Sequence, residues 1–399
     1  MADAASGRNN PWLDLVRSAA IVLVLMRHGE RALLHASNSS EQSFLHTICL
    51  NGWVGVDLFF VLSGYLIARH LLRSGVGSGH FQIGRYFAMR VLRIVPAYYA
   101  VLALAVAGAF PLFQIAPELL PLRVGYHLLF FQDYLPSDIN VVFWSLGVEE
   151  KFYLLAPLLI FLLLRCKACW LKAALLLLCF ALPVGLRTVA YLRLNEALDY
   201  PEFWRLFRSP FHMTLEGLVI GVGIAIAQHA GFVRQSSKMG LAMLAAGAVA
   251  FGAWLASHDF MAVLDLRDAS VQPALIAMLS GVITLGAVQL AGTPMPLTHP
   301  FQLLSKLSYS LYLIHFPLIP LVVAVTAAHG AAVFWLCYLG ISLCGSILLH
   351  AAVERPFLRL KDRLGREAMD GPQPSNASET GPSEASRGRV SNLLRDKRV

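Results

Sequence analysis

The sequence is poor in charge. Of its 399 residues only 14% are Asp, Glu, Lys or Arg, against about 25% in soluble globular proteins, while 57% are hydrophobic and the mean hydropathy is +0.62. A soluble domain is excluded by this balance. Six cysteines show no regular framework, and Cys166 and Cys169 form one C-x-x-C with no second pair to complete a zinc site. No His is followed five positions later by Asp, so the H-x4-D arrangement of many lipid acyltransferases is missing. There is no G-x-S-x-G elbow and no P-loop, so hydrolase and ATP-driven pump readings lose their usual signatures. No basic-aromatic cluster argues for nucleic acid.

What the sequence has in quantity is long apolar runs. Stretches of 17 to 22 residues recur along almost the whole chain, each long enough at about 1.5 Å per residue to cross a hydrocarbon layer of roughly 30 Å. The pattern predicts an all-α, polytopic integral membrane protein of about ten spans, near 12–34, 52–72, 91–113, 144–164, 171–190, 211–228, 240–257, 273–291, 307–327 and 333–353. Residues 122–132 are apolar but too short to cross, which suits an interfacial or re-entrant piece.

Positive residues orient the bundle. Arg69, Arg73, Arg85, Arg90 and Arg93, then Arg165 and Lys167, then Arg234 and Lys238, and finally Arg355, Arg359, Lys361, Arg363 and Arg366 fall in alternate connections. Those connections and both termini are expected to be cytoplasmic, in a cell membrane of bacterial inner or plasma type. The net charge of +8 is mostly this bias plus a basic tail. The opposite connections are nearly free of Lys and Arg except 191–210, which holds Arg193, Arg205 and Arg208 beside Glu196, Asp199 and Glu202. That exception fits either a loop with work on the far side or a merely solvated one. The expected organisation is a short lead at 1–11, a transmembrane domain at 12–357 and a basic, then disordered tail at 358–399. The first span carries several charges and no small-residue cleavage site, so it is expected to be retained rather than removed as a signal peptide.

A charge near the bilayer centre costs several kcal/mol, so ionisable residues inside spans are functional candidates. In the first span Asp14 and Arg17 are three apart and can pair. Arg17 and His28 are eleven apart, about three turns, which places them on one face separated by about 16 Å. The fourth span opens with Ser145, Glu149 and Tyr153 at spacings of four, one stripe. Counting depth from the far surface puts Glu149 near the level of His28, so a His–Glu meeting is expected. Such a pair would suit a general base for a hydroxyl acceptor, or would simply hold two helices together. Arg90 and Arg93 share a face just before Pro96 and could grip an anionic ligand or anchor the chain to anionic lipid. His315 follows Ser308 and Tyr312 on one face before Pro317 and Pro320 bend the ninth span, and fits a hydrogen-bonded core residue or a site residue.

Several segments in order carry a resemblance. LDLVR at 13–17 leads to His28; GVDLFFVLSGY stands at 55–65, RVLRIVP at 90–96, WSL at 144–146 continuing to Tyr153, SYSLY at 308–312 with His315, and ERP at 354–356. From residue 12 to about 357 the chain resembles the acyltransferase-3 family of integral membrane proteins. The resemblance implies an O-acyltransferase that moves an acyl group, usually acetyl, from cytoplasmic acyl-CoA (donor substrate, with no permanently bound cofactor and no metal) to a hydroxyl of an extracytoplasmic glycan or lipid-linked saccharide. It implies His28 in catalysis with Arg17 in the same R-x10-H motif, Arg90 and Arg93 at the acyl-CoA entrance, and Glu149 in S-L-x-x-E-x-x-F-Y. Asp14, Asp57, Ser145, Tyr153 and His315 are expected to support them. Many members carry a further esterase-like domain, and this chain looks like the stand-alone type. The competing reading is a transporter of a lipid-linked or amphiphilic substrate that uses the same buried groups as a proton relay; its expected mark, an inverted repeat, is not evident.

Overall fold

The computed structural model describes residues 10–37, 43–77, 81–194, 197–258 and 264–367. Most of the expected lead, the expected disordered tail from 368 onward and parts of three expected outer loops (38–42, 195–196 and 259–263) lie outside the described residues. Within them the chain is helical, and the only strand-type pairing is one antiparallel bridge between Leu198 and Leu264.

The helices run α1 (Pro11–Ser37), α2 (Phe44–Leu50), α3 (Gly55–Arg73), α4 (Ile83–Val106), α5 (Leu120–Leu128), α6 (Trp144–Arg165), α7 (Cys169–Tyr191) and α8 (Tyr200–Phe203). They continue with α9 (Glu216–His229), α10 (Ser237–Ser257), α11 (Gln272–Gln289), α12 (Thr298–Ile314), α13 (Ile319–Thr326), α14 (Ala331–Leu349) and α15 (Arg355–Glu367). Each of the ten expected segments overlaps a helix or a helix pair. Six stretches are long and apolar enough to cross a membrane by length and composition, and the α12–α13 pair, bent by 85°, makes a seventh if it is one broken span. Helix α9 is apolar but short, at 14 residues. Helices α1 and α6 have the length, yet every 18-residue window in either holds at least three Asp, Glu, Lys or Arg. Among the charges that keep these two helices out of the purely apolar set are Asp14, Arg17 and Glu149, singled out as candidate site residues.

Several boundaries differ from expectation, and two of the differences bear on charged residues. Helix α4 begins at Ile83, eight residues before the expected span, so Arg85 and Arg90 lie on the helix together with Arg93 instead of in the connection before it. The basic segment after 354 forms α15, which packs on α4; Phe357, Leu360 and Leu364 recur at helical spacing while Arg355, Arg359, Lys361 and Arg363 fill the remainder. The expected limit at 357 therefore falls inside a helix. The short α5 does match the expectation of a piece that does not span, since nine residues reach only about 13 Å.

Helix α3 is the hub. It packs along α9 and also touches α1, α6 and α11, while α12 lies along α1. The α3–α9 approach is possible because glycine faces backbone. A Cβ at Gly64 would collide with the Leu218 carbonyl, and one at Gly221 with the Val61 carbonyl. Gly217 and Gly221 form a G-x-x-x-G, the small-residue pattern that lets apolar helices pack by close van der Waals contact where there is no hydrophobic drive between them. We expect Gly64→Ala or Gly221→Ala to lower the thermal unfolding midpoint in detergent, at a cost of about 1–3 kcal/mol from overpacking, whereas Gly185→Ala, with nothing within 4 Å of the added carbon, leaves it unchanged.

Candidate functional site

The ionisable residues of the interior fall into two arrangements. In the first, opposite charges are locked together. Asp57, in the first turn of α3, is bonded to Arg208 (Oδ2 to Nη2, 2.7 Å). Arg208 also donates to Thr214, and its guanidinium lies over Trp53 and Trp144, each at 5.3 Å, and over Phe60 at 5.8 Å. Residues 204–208 form a single π-helical turn, a distortion frequent at special sites. Arg208 is thus 2% exposed, and the reading of 191–210 as a merely solvated loop does not hold for it. Arg187 of α7 is similarly held by Glu216, the Met213 carbonyl and, at 2.8 Å, the Ser270 carbonyl. Glu354 accepts hydrogen bonds from Ser310 (2.6 Å) and His350 (2.9 Å).

In the second arrangement the charged groups face space. A cavity of about 120 Å3 is bordered by Arg17, Arg90, Arg93, Glu149, Tyr153 and Ser63. The expected α6 stripe is present: Tyr153 Oη donates to Glu149 Oε2 at 2.6 Å, Ser63 Oγ donates to Oε1 at 2.8 Å, and Ser145 lines the same cavity. Arg17 and Arg93 are both near enough to act electrostatically on Glu149. Asp14 and Arg17 meet through one hydroxyl, since Ser305 Oγ donates to Asp14 at 2.6 Å and accepts from Arg17 at 3.3 Å.

A second cavity, of about 510 Å3, holds His28 together with Arg27, Arg31, Tyr200 and Trp204. The His28 ring packs on His315 and on Phe316, each at 5.3 Å between centroids. His315 is fully buried at the break between α12 and α13. Its Nδ1 lies 2.9 Å from the Leu311 carbonyl, while Nε2 has no hydrogen-bond partner among the described residues. An Nδ1 facing a carbonyl must carry the proton, so Nε2 of the neutral ring keeps its lone pair. His315 is therefore a neighbour of His28 and more than an isolated core residue.

The expected His28–Glu149 meeting does not occur. Glu149 is engaged further along α6, in the cavity that Arg17 borders, while Trp144 at the start of the helix lines the His28 cavity. The depth estimate counted from a surface entrance, but the residues just before α6 are interior: Ile139 and Asn140 are each at most 1% exposed, and Val142 and Phe143 are buried. Helix α6 starts below the surface, which carries Glu149 past His28.

The two cavities adjoin at Tyr312 and Val56, which line both. Tyr312 Oη donates to the Val142 carbonyl at 2.8 Å and shares a 2.6 Å hydrogen bond with Ser145. This is the partition between an arginine-rich chamber and a histidine-bearing one. Sequence reasoning did not find Arg208, Arg187 or Glu216 as interior residues. The one sequence signal for Arg208 was the charge surplus of 191–210, which reads equally as a solvated loop, whereas Arg187 and Glu216 fall inside the expected spans 171–190 and 211–228 as isolated charges.

Comparison with known proteins gives a consistent result. A family model described as an acyltransferase domain, that of acyltransferase-3, matches residues 10–351. The chain is similar to a peptidoglycan O-acetyltransferase of Listeria monocytogenes, 28% identical over 199 residues, covering 46% of this chain and 28% of that protein. It is similar also to the "Putative O-acetyltransferase SAS0844" of Staphylococcus aureus (27% over 173 residues; 39% and 26%) and to the "Putative acetyltransferase ORF330" of Acidianus two-tailed virus (32% over 154 residues; 38% and 44%). The matched stretches span between about a quarter and under half of those relatives' own lengths. No solved structure matches the chain.

The locked pairs carry a prediction for the fold rather than the chemistry. Asp57→Ala leaves Arg208 as an uncompensated buried cation, which costs about 3–5 kcal/mol; we expect a sharp fall in folded yield and thermal midpoint, part of which Asp57→Ala with Arg208→Met recovers.

Proposed function

The chain belongs to the acyltransferase-3 family, and from that premise and the two adjoining cavities we propose that it is a multi-pass membrane enzyme that transfers an acyl group, most simply acetyl, from cytoplasmic acyl-CoA to a hydroxyl of an extracytoplasmic glycan. In this reading ten helical segments cross the membrane with both termini in the cytoplasm, as the distribution of Arg and Lys favours, and the membrane is a bacterial inner or plasma membrane. Arg90 and Arg93 then stand where α4 rises from the cytoplasmic side. They hold the donor's phosphates by charge-assisted hydrogen bonds, with the pantetheine arm running past Arg17 toward Tyr312. Glu149, fixed by Ser63 and Tyr153, balances the positive charge of this chamber.

The acceptor enters the larger cavity. His28 takes the proton of the acceptor hydroxyl as its oxygen attacks the thioester carbonyl; the C–S bond breaks, the acyl group becomes an ester, and the proton returns from the imidazolium to the departing CoA thiolate. His315 holds the His28 ring from one side. The observation that carries this reading is the partition at Tyr312 and Ser145, with a cationic chamber on one side and an imidazole on the other.

The test is turnover of acetyl-CoA by the purified protein in detergent, following free CoA with mixed glycan acceptors. His28→Ala should bind acetyl-CoA yet lose about 10²–10⁴-fold in transfer rate; full activity in a folded His28→Ala protein would exclude the mechanism. Arg90→Ala with Arg93→Ala should raise the KM for acetyl-CoA about ten- to a hundredfold with a much smaller change in acceptor KM. Equal loss of both would make the two arginines structural.

A further inference from the structure

The hydroxyls at the partition between the two cavities have a property that a plain wall would not need. Three oxygens meet there in a triangle. Tyr312 Oη stands 2.8 Å from the Val142 carbonyl oxygen and 2.6 Å from Ser145 Oγ, and Ser145 Oγ stands 3.4 Å from the same carbonyl. With Tyr312 donating to Val142, Ser145 donates to Tyr312. When the Tyr312 proton turns elsewhere, Ser145 can turn to the Val142 carbonyl, so that buried acceptor keeps a donor. The two arrangements differ only by rotation of two hydroxyl groups. The oxygens themselves are held in place from both sides. Val142 lies in the 3-10 turn before α6, where its amide donates to the Asn140 side chain, and Asn140 donates in turn to the carbonyl of Leu313, the neighbour of Tyr312 in the chain. The Tyr312 ring packs on Phe59 at 6.2 Å and on His315 at 6.1 Å between centroids, and His315 is the ring on which His28 packs. The end of α12 therefore positions both the phenol and the imidazole of His28. Tyr312 borders both cavities and Ser145 the smaller one, so a donor reaching from the arginine chamber toward His28 meets this phenol.

Resting on the transfer reading above, we infer that Tyr312 is a catalytic residue: its hydroxyl donates a hydrogen bond to the thioester carbonyl oxygen of the bound acyl-CoA, while Ser145 takes its place on the Val142 carbonyl. As the acceptor oxygen attacks, the new C–O bond forms and the carbonyl π pair moves onto the oxygen that Tyr312 faces. When the C=O bond re-forms, the C–S bond breaks and its electron pair leaves with sulfur, which takes the proton that His28 removed from the acceptor. Tyr312 keeps its own proton throughout. Its hydrogen bond is strongest while the carbonyl oxygen carries negative charge, so it lowers the barrier more than it tightens binding. A donor already fixed by its neighbours costs no reorganisation of the site beyond the rotation of two hydroxyls. Ser145 is a positioning residue, because it acts through the Val142 carbonyl and not on the substrate.

The experiment follows CoA release by the full chain in detergent together with the infrared carbonyl band of bound [1-13C]acetyl-CoA. A hydrogen bond to the carbonyl oxygen weakens the C=O bond, so the band should lie at lower frequency in the wild type than in Tyr312→Phe. Tyr312→Phe keeps the ring and its packing, and Ser145 can serve the Val142 carbonyl in its place; kcat should fall about 10²–10³-fold with the KM for acetyl-CoA and the thermal midpoint nearly unchanged. Ser145→Ala should lower kcat about five- to tenfold, and Ser145→Thr, which keeps the hydroxyl, should recover most of that loss. A partition with a structural role alone would move the KM values or the thermal midpoint and leave the carbonyl band in place. That result, or a kcat insensitive to Tyr312→Phe, would overturn the inference. The two readings fail separately. Turnover by the wild type with a carbonyl band indifferent to Tyr312 keeps the transfer reading and removes this one, while a band that depends on Tyr312 in a protein that releases no CoA places the phenol on the carbonyl and removes the transfer reading.

Discussion

A charge inside an apolar helical bundle costs several kcal/mol unless another element supplies its partner, and this condition organises the molecule. Asp57 with Arg208, Arg187 with Glu216, and Glu354 with Ser310 each join separate segments of the chain, and His350 adds a local bond to Glu354. These contacts tie α3 to the irregular turn at 204–208, α7 to α9, and α12 to the turn at 350–354. Removing one partner leaves a buried charge, so each pair specifies an assembly as much as it stabilises one. Arg17, Arg90, Arg93 and Glu149 border the smaller cavity instead, and the electrostatic demand there can be met by a ligand.

The cavities owe their position to two breaks in regular structure. The chain bends by 85° between α12 and α13, where Pro317 and Pro320 remove backbone donors, and the bend brings His315 and Phe316 against His28. The entry to α6 is a 3-10 turn at 141–143 capped by Asn140, whose side chain also bonds the Leu313 carbonyl at 3.0 Å. That second link fixes α6 against the end of α12. Tyr312 reaches the Val142 carbonyl and Ser145 across this junction, so one aromatic side chain separates the arginine chamber from the histidine chamber. The close α3–α9 packing supports the arrangement from behind, because α3 contributes Asp57 and Ser63.

Several parts of the site were legible as local periodicity. Ser145, Glu149 and Tyr153 form one stripe because a helix repeats every 3.6 residues, and two of them are joined directly. Asp14 and Arg17 share a face for the same reason, though they meet through Ser305 and not with each other. The position of α6 along its axis was not legible. The expected meeting of Glu149 with His28 assumed that the helix starts at a surface, whereas the residues just before it are buried. Arg208 was read as part of a loop because its neighbours are Glu196, Asp199 and Glu202; its partner Asp57 lies 151 residues earlier in the chain, and nothing local marks the two as a pair.

Composition was sufficient to establish an all-helical membrane-type chain and the segments that form its helices, because apolar length and 3.6-residue periodicity are properties of each segment alone. The same holds for which residues share a face of α1, α4 or α6. Which helix stands beside which, how far each is slid along its axis, and therefore that His28 meets His315 while Glu149 meets Ser63 and the arginines, came from packing. Slide and neighbour choice depend on glycine contacts, proline bends and buried ion pairs between distant segments, and the energy of such contacts belongs to pairs of elements, which no single stretch of the chain contains.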